Sequence, residues 1–456
     1  MQIKDTMRGK AEFRELHKGR INMFVCGPTV YDIPHVGNAR VYVFFDMVAK
    51  YLRTRGYSVF YLQNITDIDD KIINRAEEEG SDYRDVSDRY YSLYMDIMKR
   101  LGIDSVNIYA RATLYMDEII SQIQRLMDLG YVYSTEDGLY YRIRKFVDYG
   151  KLSGQDIDHI EAGARVEINE EKEDPGDFAV WKFRKPGEPY WNSPWGEGRP
   201  GWHIEDTAIT ECHFGPSYDI HGGGSDLIFP HHEAEIAQMR AISGLPSLAS
   251  VWMHVGMLNI NGNKMSKSLK NFITIDQVMK SHSREEIRFY FLNSGYRSTM
   301  IFSDAALKES SETLKRIQTT YEKLLKKTGG RSSLDDDRWG IRQKLQGIMD
   351  NDFDAREFLA EIMKITTEIN RGIDSMDTES AASYLGIFNW MNSFMGILKE
   401  KSEEGIPVKL VDDLIYLRNQ MRREKMFSVS DAIREILFRN GIILEDREGV
   451  TEWRKS

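Results

Sequence analysis

Two lysines and two serines stand together at Lys264-Met265-Ser266-Lys267-Ser268, in a stretch flanked by Gly262 and Asn271. Mobile ammonium groups in such a loop can follow negative charge as it develops on a polyphosphate. The same residues also suit a solvated surface turn. Far upstream, His35-Val36-Gly37-Asn38 precedes a helical pattern from about Ala39 to Arg55. A helix start carries free backbone N–H groups and the positive end of the helix dipole, which together attract anions. Gly37 leaves room for a ligand to approach the backbone. A third group is rich in imidazole. Six of the ten histidines lie between residues 203 and 254: His203, His213, His221, His231, His232 and His254. His231 and Glu235, four apart, would face the same way on a helix, either as two metal ligands or as a surface hydrogen bond. The crowding of imidazoles favours the metal.

The elements that must position these groups read as an α/β fold. Met23-Phe24-Val25 is an apolar run suited to a buried strand, and it breaks at Cys26-Gly27-Pro28. Gly56 ends the first helix, and Tyr57 to Leu62 reads as a second strand. Asn64 to Lys71 follows at its C-terminal end, the edge at which parallel sheets bind ligands. Asp67, Asp69 and Asp70 in that stretch suit the capping of a helix from Lys71. Helical patterns cover Arg84 to Leu101 and Ala112 to Leu129, and Tyr131 to Arg144 alternates as an antiparallel excursion. Residues 145 to 200 break the rhythm with Gly, Pro and Trp, as an inserted module would. Tyr218 to Asp226 reads as a strand end, a glycine turn and a polar site, and Pro230 suits the first turn of a helix. Val251 to Ile260 reads as the last core strand. From Ile273 to about Leu398 the pattern is helical. A linker around Gly405 follows, and then a segment from Val408 with a long helix, a shorter one and a strand-like Gly441-Ile442-Ile443-Leu444.

The length of 456 residues allows two to four domains. A hydrophobic share of 41% and a charged share of 29% fit an ordinary globular chain. No apolar run approaches a membrane span, and the N-terminus has no signal-peptide core. Two cysteines in so long a chain argue against a disulfide framework and for a reducing cytoplasm. A net charge of −10 gives no general affinity for nucleic acid, although a local basic surface is enough to bind RNA. The stretch from Arg418 to Ser456 is mildly basic, with nine Lys/Arg against seven Asp/Glu.

PHVGN followed by KMSKS resembles the signature pair of class I aminoacyl-tRNA synthetases. MFVCGPTVYDIPHVGNAR, NITDIDDKI, GRPGWHIE, DIHGGGSDLIFPHHEAEIAQ and KMSKSLKN, in that order, with AGARVE between and ILED and Trp453-Arg454-Lys455 at the end, resemble the cysteinyl-tRNA synthetase family. The resemblance covers essentially the whole chain. It implies a Rossmann-type parallel-sheet catalytic domain with a connective insertion, followed by an α-helical bundle and a small C-terminal anticodon-binding domain. On that basis residues 1–110 and 201–270 form the two catalytic halves, the second with the KMSKS loop. Residues 111–200 form the insertion, 271–305 a stem-contact region, 306–400 the bundle and 408–456 the anticodon-binding domain.

The implied reaction joins cysteine to ATP as cysteinyl-adenylate and then transfers cysteine to the terminal adenosine of tRNA(Cys). By resemblance, His35 and Asn38 hold the ATP phosphates, Gly37 lies under the nucleotide, and Lys264 and Lys267 neutralise the pyrophosphate. Mg²⁺ comes with ATP. Gly27, Thr66, Trp202 and His221 map near the bound amino acid. A zinc ion that takes the substrate thiolate maps to Cys26, Asp206, His231 and Glu235. Arg422, Phe427, Asp431 and Asp446 map to the residues that read the anticodon. Three positions depart from the family pattern. Asp206 stands where cysteine is usual, Asn38 where histidine is usual, and Phe427 where tryptophan is usual. Asp206 could instead cap or pair locally, with the metal lost. The competing readings are a cysteine ligase acting on a small amine, as in mycothiol synthesis, and a non-catalytic RNA-binding paralogue. The C-terminal segment argues against the first and the KMSKS run against the second. The expectation is a monomer.

Overall fold

The chain begins with a hairpin, β1 (Gln2–Asp5) and β2 (Gly9–Glu12). The computed structural model describes all residues except 160–170, 261, 265–271, 335–336, 338, 400–407, 425, 441, 448–449 and 456. AGARVE and Met265–Asn271, with Lys267, therefore lie outside the described residues, and so does the side chain of Lys264. The hairpin is anchored by Asp5, whose buried carboxylate accepts from Trp252 N at 2.8 Å.

Strand β3 (Arg20–Val25) leads into helix α1 (Val36–Thr54), which returns to β4 (Ser58–Ile65). Helices α2 (Asp70–Glu79) and α3 (Tyr83–Arg100) then lead to β5 (Ile108–Arg111). After α4 (Met116–Asp128) come four antiparallel strands: β6 (Val132–Ser134), β7 (Gly138–Tyr141), β8 (Phe178–Phe183) and β9 (Gly198–Pro200). Helix α5 (Trp202–Phe214), β10 (Tyr218–Gly224), α6 (Glu233–Ser243) and β11 (Ala249–Val255) complete the main sheet. Its five strands are parallel in the order β11-β10-β3-β4-β5. The chain runs outward from β3 on one side, through β4 to β5, and later fills the other side with β10 and β11. The switch point thus lies between β3 and β10, where open α/β sheets bind ligands beyond the carboxyl ends of the strands. Helix α1 is buried on nearly every face, from Val36 and Ala39 to Tyr51 and Leu52, as expected of a helix apolar all round.

The expected core strand from Val251 to Ile260 is two strands. It stops at Val255, and β12 (Leu258–Ile260) belongs to a separate three-stranded sheet with β13 (Asn263–Lys264) and the later Met300–Phe302. Gly256 causes the break. A Cβ there would come within 2.5 Å of the carbonyl oxygens of Arg297 and Ser298, and Gly256 N donates to Tyr296 O. The run expected to be wholly helical from Ile273 holds α7 (Ile275–Met279) and α8 (Arg284–Leu292), and then strand β14 (Met300–Phe302). Helices α9 (Asp304–Thr328), α10 (Ile341–Met349), α11 (Ala355–Gly372) and α12 (Thr378–Met395) follow. Arg288 joins three of these parts. It pairs with the buried Asp46 of α1 at 2.8 Å and donates to Met395 O at the end of α12.

Two compact units result, Met1–Leu398 and Lys399–Ser456. The second contains α13 (Val408–Arg423), α14 (Phe427–Arg439) and an antiparallel hairpin of β15 (Ile442–Arg447) and β16 (Val450–Lys455). Its core is Val411, Ile415, Ile433, Leu437, Ile442 and Leu444. Among the described residues, no helix is long and apolar enough to cross a membrane.

Candidate metal and nucleotide site

Cys26 follows the last residue of β3, and Asp206 sits one turn into α5. His231 and His232 lie in the wide turn 228–232, and Glu235 in the first turn of α6. All five side chains are buried. Cys26 Sγ lies 3.1 Å from Asp206 Oδ2 and 3.2 Å from His232 Nε2. His231 Nε2 lies 3.1 Å from Asp206 Oδ2 and 3.2 Å from Glu235 Oε1, and that Oε1 is 3.9 Å from Cys26 Sγ. Cys26, Asp206, His231 and Glu235 therefore close a ring of four potential ligands. Around a tetrahedral metal with bonds of about 2.0–2.3 Å, ligand atoms lie roughly 3.3–3.8 Å apart, close to the spacings here. Cys26, His231, His232 and Glu235 also have the donors and spacing to hold a metal ion, their ligand atoms all within 4.8 Å of one another.

The electrostatics also call for a cation. Burial first, and then Asp206 and Glu235, push the Cys26 thiol well above its ordinary value. Burial and then Asp206 push Glu235 up as well. Glu235 Oε2 has no hydrogen-bond partner. Burial lowers His221 and His232, which keeps both imidazoles neutral and able to bind a metal.

A second layer fixes these groups, as ligand-orienting hydrogen bonds do. His231 Nδ1 meets His203 Nδ1 at 2.7 Å, and the Trp202 ring stacks on His231 with centroids 4.1 Å apart. His232 Nδ1 meets His254 Nε2 at 2.8 Å, and His254 Nδ1 meets Thr6 Oγ1 at 2.7 Å. His221 Nε2 is 3.6 Å from Glu235 Oε2, and its Nδ1 meets Tyr218 OH at 2.7 Å. Asn64 donates to Asp206 Oδ1 at 2.6 Å and accepts from Gly27 N. Gly27 must be glycine here, since a Cβ would lie 1.7 Å from Asn64 O. Thr66 donates to Glu205 at 3.0 Å.

The structure thus brings Gly27, Thr66, Trp202 and His221 around the four expected ligands. Sequence reasoning assigned no role to His232, Asn64 or Glu205. The crowding of histidines flagged His232 without placing it. His213 leaves the group and pairs with Tyr115 OH at 2.8 Å. Phe229 has extended backbone, and Pro230 after it opens the helical stretch that runs through His231 and His232 into α6, so it stands in a first turn as expected.

His35 caps α1. Its Nδ1 accepts from Gly37 N at 3.1 Å and Asn38 N at 3.3 Å, and Asn38 Oδ1 accepts from His35 N at 3.2 Å. An accepting Nδ1 leaves the neutral ring's proton on Nε2. Burial lowers the His35 pKa to about 4, so near pH 7 the ring is a neutral donor. Val36 N donates to Ile273 O and Ile275 N to Pro34 O, which brings the C-terminal flank of the lysine run to this helix start. Of the three aspartates after β4, Asp69 caps α2 through Lys71 N, Asp67 binds Arg111 and Thr113, and Asp70 binds Lys182 and Arg199. A cavity of about 280 Å³ around Arg40 and Arg297 shares none of the candidate side chains.

In the second unit, Phe427 is 58% exposed, and Asp431 is exposed on the same helix. Asp446 is engaged within the unit. The buried Arg418 grips both its oxygens at 2.9 and 2.8 Å, Thr451 Oγ1 donates at 2.7 Å, and Arg422 donates at 3.1 Å.

Residues 12–312 match the family described as "tRNA synthetases class I (C) catalytic domain". The chain is 54% identical over 454 residues to a cysteine–tRNA ligase of Thermoplasma volcanium, covering 99% of each chain. It is 41% identical to that of Thermococcus gammatolerans, covering 98% of this chain and 97% of the relative. Solved structures with the same fold include Mycobacterium tuberculosis methionyl-tRNA synthetase with methionyl-adenylate. The TM-score is 0.61 at 15% identity, covering 82% of this chain and 89% of that one. The ternary LeuRS–tRNA–LeuAMS complex of Agrobacterium radiobacter gives a TM-score of 0.63 at 11% identity, covering 85% of each.

Proposed function

We infer what this chain does from the premise that it belongs to the cysteine–tRNA ligase family of class I aminoacyl-tRNA synthetases. It is an ATP-dependent, AMP-forming ligase. The carboxylate of cysteine attacks the α-phosphorus of ATP, releasing pyrophosphate, and a ribose hydroxyl of the 3′-terminal adenosine of tRNA(Cys) then displaces AMP. Catalysis of the first step is positioning and charge stabilisation. The Nε2–H of His35 and the amide nitrogen of Asn38 donate to the ATP phosphates at the start of α1, with Gly37 beneath the nucleotide and Mg²⁺ entering with ATP. Lys264 and Lys267 take up charge on the departing pyrophosphate.

Cys26, Asp206, His231 and Glu235 are the ligand set for zinc, with the His232 imidazole beside Cys26. A zinc ion bound there supplies a Lewis acid that bonds a thiolate far better than an alcohol, so cysteine is separated from serine without an editing site. Gly27, Thr66, Trp202 and His221 frame the amino acid. Arg422, Phe427, Asp431 and Asp446 form the anticodon-reading surface, on residues 408–456. Phe427 offers a ring for base stacking, and Asp446 holds Arg422 in place. The remaining domain roles follow the boundaries given above, and the enzyme acts as a monomer in the cytoplasm. Both cysteines are unpaired, as a reducing compartment requires.

The observation that carries this reading is the buried Cys26–Asp206–His231–Glu235 ring beside the His35-capped helix. ATP–pyrophosphate exchange with a panel of amino acids, followed by charging of tRNA transcripts, tests it. Exchange with cysteine alone, and charging of tRNA(Cys) alone, is the expected result. Exchange with another amino acid, or with none, overturns it.

A further inference from the structure

Lys4 and Lys10 stand directly opposite each other across the N-terminal hairpin, and both are exposed. Like charges in facing positions of an antiparallel pair repel and weaken it. The hairpin's own acids are engaged elsewhere, Asp5 with Arg8 and Glu12 with Arg14. Among the described residues, no carboxylate pairs with either lysine, and Lys10 Nζ is held by the neutral Asn351 Oδ1.

Both lysines line the cavity of about 280 Å³ that Arg40 and Arg297 also border. Arg40 is 2% exposed. Its Nη atoms donate to the carbonyls of Gly256 at 2.8 Å, Met257 at 3.1 Å, Gly295 at 3.1 Å and Ser298 at 2.9 Å, and its Nε has no partner. Carbonyl dipoles hold the guanidinium in place but bring no full negative charge, and burial lowers its pKa to about 10. The two acids in the wall are already used. Asp352 accepts from Arg297 Nε at 3.1 Å, and Asp354 caps α11 by accepting from Glu357 N at 2.9 Å. Lys4, Lys10 and Arg40 are therefore three cations at one cavity that no acid offsets among the described residues. Charge of one sign around a partly buried space favours a ligand of the other sign.

The rest of the wall indicates the body of that anion. Phe44 stacks on Tyr296 with centroids 4.1 Å apart, and Val255, Phe291 and Phe353 add buried apolar surface. Aromatic walls favour a ring that packs by stacking or by its edge. A volume of about 280 Å³ is just below the roughly 300–1,000 Å³ of most ligand pockets, which suits one ring better than a nucleotide. The wall is also held in shape. Asp352 and Phe353 have positive φ angles of 64° and 53°, uncommon for such residues. Asp352 fixes that turn by accepting from Lys4 N at 2.8 Å and Tyr296 OH at 2.9 Å.

We propose that this cavity is a binding site for a small aromatic acid, separate from the metal and nucleotide site. The ring packs among Phe44, Phe291 and Phe353, and the carboxylate offsets Lys4, Lys10 and Arg40.

Fluorine NMR titration of the full-length protein tests this, with 4-fluorobenzoate and its uncharged counterpart 4-fluorobenzyl alcohol as probes. The acid should bind at least about tenfold more tightly, the scale of hydrogen bonds to charged groups. Lys4→Ala combined with Lys10→Ala should weaken the acid by about 3–20-fold, as the loss of two exposed ion pairs does, and leave the alcohol unchanged. Ala355→Leu puts a larger side chain into the cavity wall and should abolish binding of both probes. Both lysine side chains are exposed, so the double variant decides the matter even if the filled one fails to fold. Absence of binding by the wild type, equal affinity for acid and alcohol, or an acid constant that the lysine variant leaves unchanged would overturn the site. Undiminished binding by a folded Ala355→Leu protein would do the same.

Discussion

Two groups of carboxylates in this molecule are held in opposite ways. Asp206 and Glu235 are buried together around Cys26, with Glu205 buried next to Asp206 on α5, and among the described residues no lysine or arginine pairs with any of them. Asp446, in the second unit, is gripped by Arg418, Arg422 and Thr451. The first group is incomplete without a cation, because buried charge of one sign is strongly unfavourable. The second is complete by itself. A site awaiting a ligand can thus be recognised by the charge it lacks. Asp446, by contrast, has both oxygens engaged within its own unit and holds the Arg422 side chain in place.

The largest expected effect breaks the incomplete group. Cys26→Ala removes the one sulfur ligand, and cysteine activation should fall on the order of 10³-fold, the scale of metal-based charge stabilisation. ATP binding should persist, because His35 and Asn38 are built on α1 alone. Exchange within tenfold of wild type would remove Cys26 from the ligand set. Lys267→Ala comes next, with activation slowed by about 10²–10³-fold, the cost of one oxyanion donor. Cysteine binding should barely change, so a large rise in cysteine KM would count against a role confined to pyrophosphate.

The complete group should be separable. Deleting the chain from Val408 removes a unit with its own core, and adenylate formation should continue. Charging of tRNA should drop on the order of 10²-fold or more, given about 1–3 kcal/mol for each stacked base. Loss of both activities together would make the unit structural support for the first.

The two groups also titrate with opposite sign. Burial and neighbouring acids raise Cys26 and Glu235 in the folded chain. The metal-free fold therefore holds protons that the unfolded chain releases, and its stability falls as pH rises above about 4.3. Metal binding displaces those protons, so the gap in Tm between zinc-loaded and chelated protein should widen from pH 5 to pH 8. A gap that is flat with pH would contradict the raised values. The hydrogen bond from Arg418 and the charges of both arginines depress Asp446 against the effect of burial. Its contribution is present above about 3.9 and is lost only as pH falls through the depressed folded value.

The sequence made the two groups legible to different degrees. His231 and Glu235 could be paired from their spacing alone, since residues four apart share a helix face. Cys26 and Asp206 are 180 positions apart, and only the family resemblance joined them before the sheet did. His232 was missed because residues adjacent on a regular helix point apart. Its imidazole meets the ring through Cys26, which arrives from the end of β3, a partner that spacing within the helix cannot announce. The strand–helix–strand order and the first antiparallel pair, β6 and β7, were readable from periodicity, whereas β8 and β9 lie in the stretch whose Gly, Pro and Trp marked only an inserted module. The break at Gly256 was not, because its cause is the approach of Arg297 and Ser298, some forty residues away. In the tail, the two helices and the start of β15 followed from pattern, whereas β16 and the grip of Arg418 on Asp446 depend on how the hairpin folds back onto α13.

The smallest expected effect concerns Asp206, the position at which the sequence pattern led to the expectation of a cysteine. Its two oxygens have separate tasks. Oδ2 faces the ring, 3.1 Å from both Cys26 and His231, and Oδ1 accepts from Asn64, which in turn accepts from Gly27 N. Asp206→Cys would put a second thiolate in the ring, a softer ligand that favours zinc, so zinc should leave more slowly under a chelator than in the wild type. The same change strands the Asn64 amide and loosens the Gly27 turn, and losing a neutral-to-charged hydrogen bond of this kind opposes the gain by a comparable amount. The two effects nearly cancel, and cysteine activation should stay within roughly threefold of wild type. Asp206→Asn separates them. It keeps an acceptor for Asn64 but removes the ring's charge, and it should lose zinc faster than either. If Asp206→Asn retains zinc as well as the wild type does, Asp206 is not a ligand. Cys26, His231, His232 and Glu235 would then be the set that holds the metal.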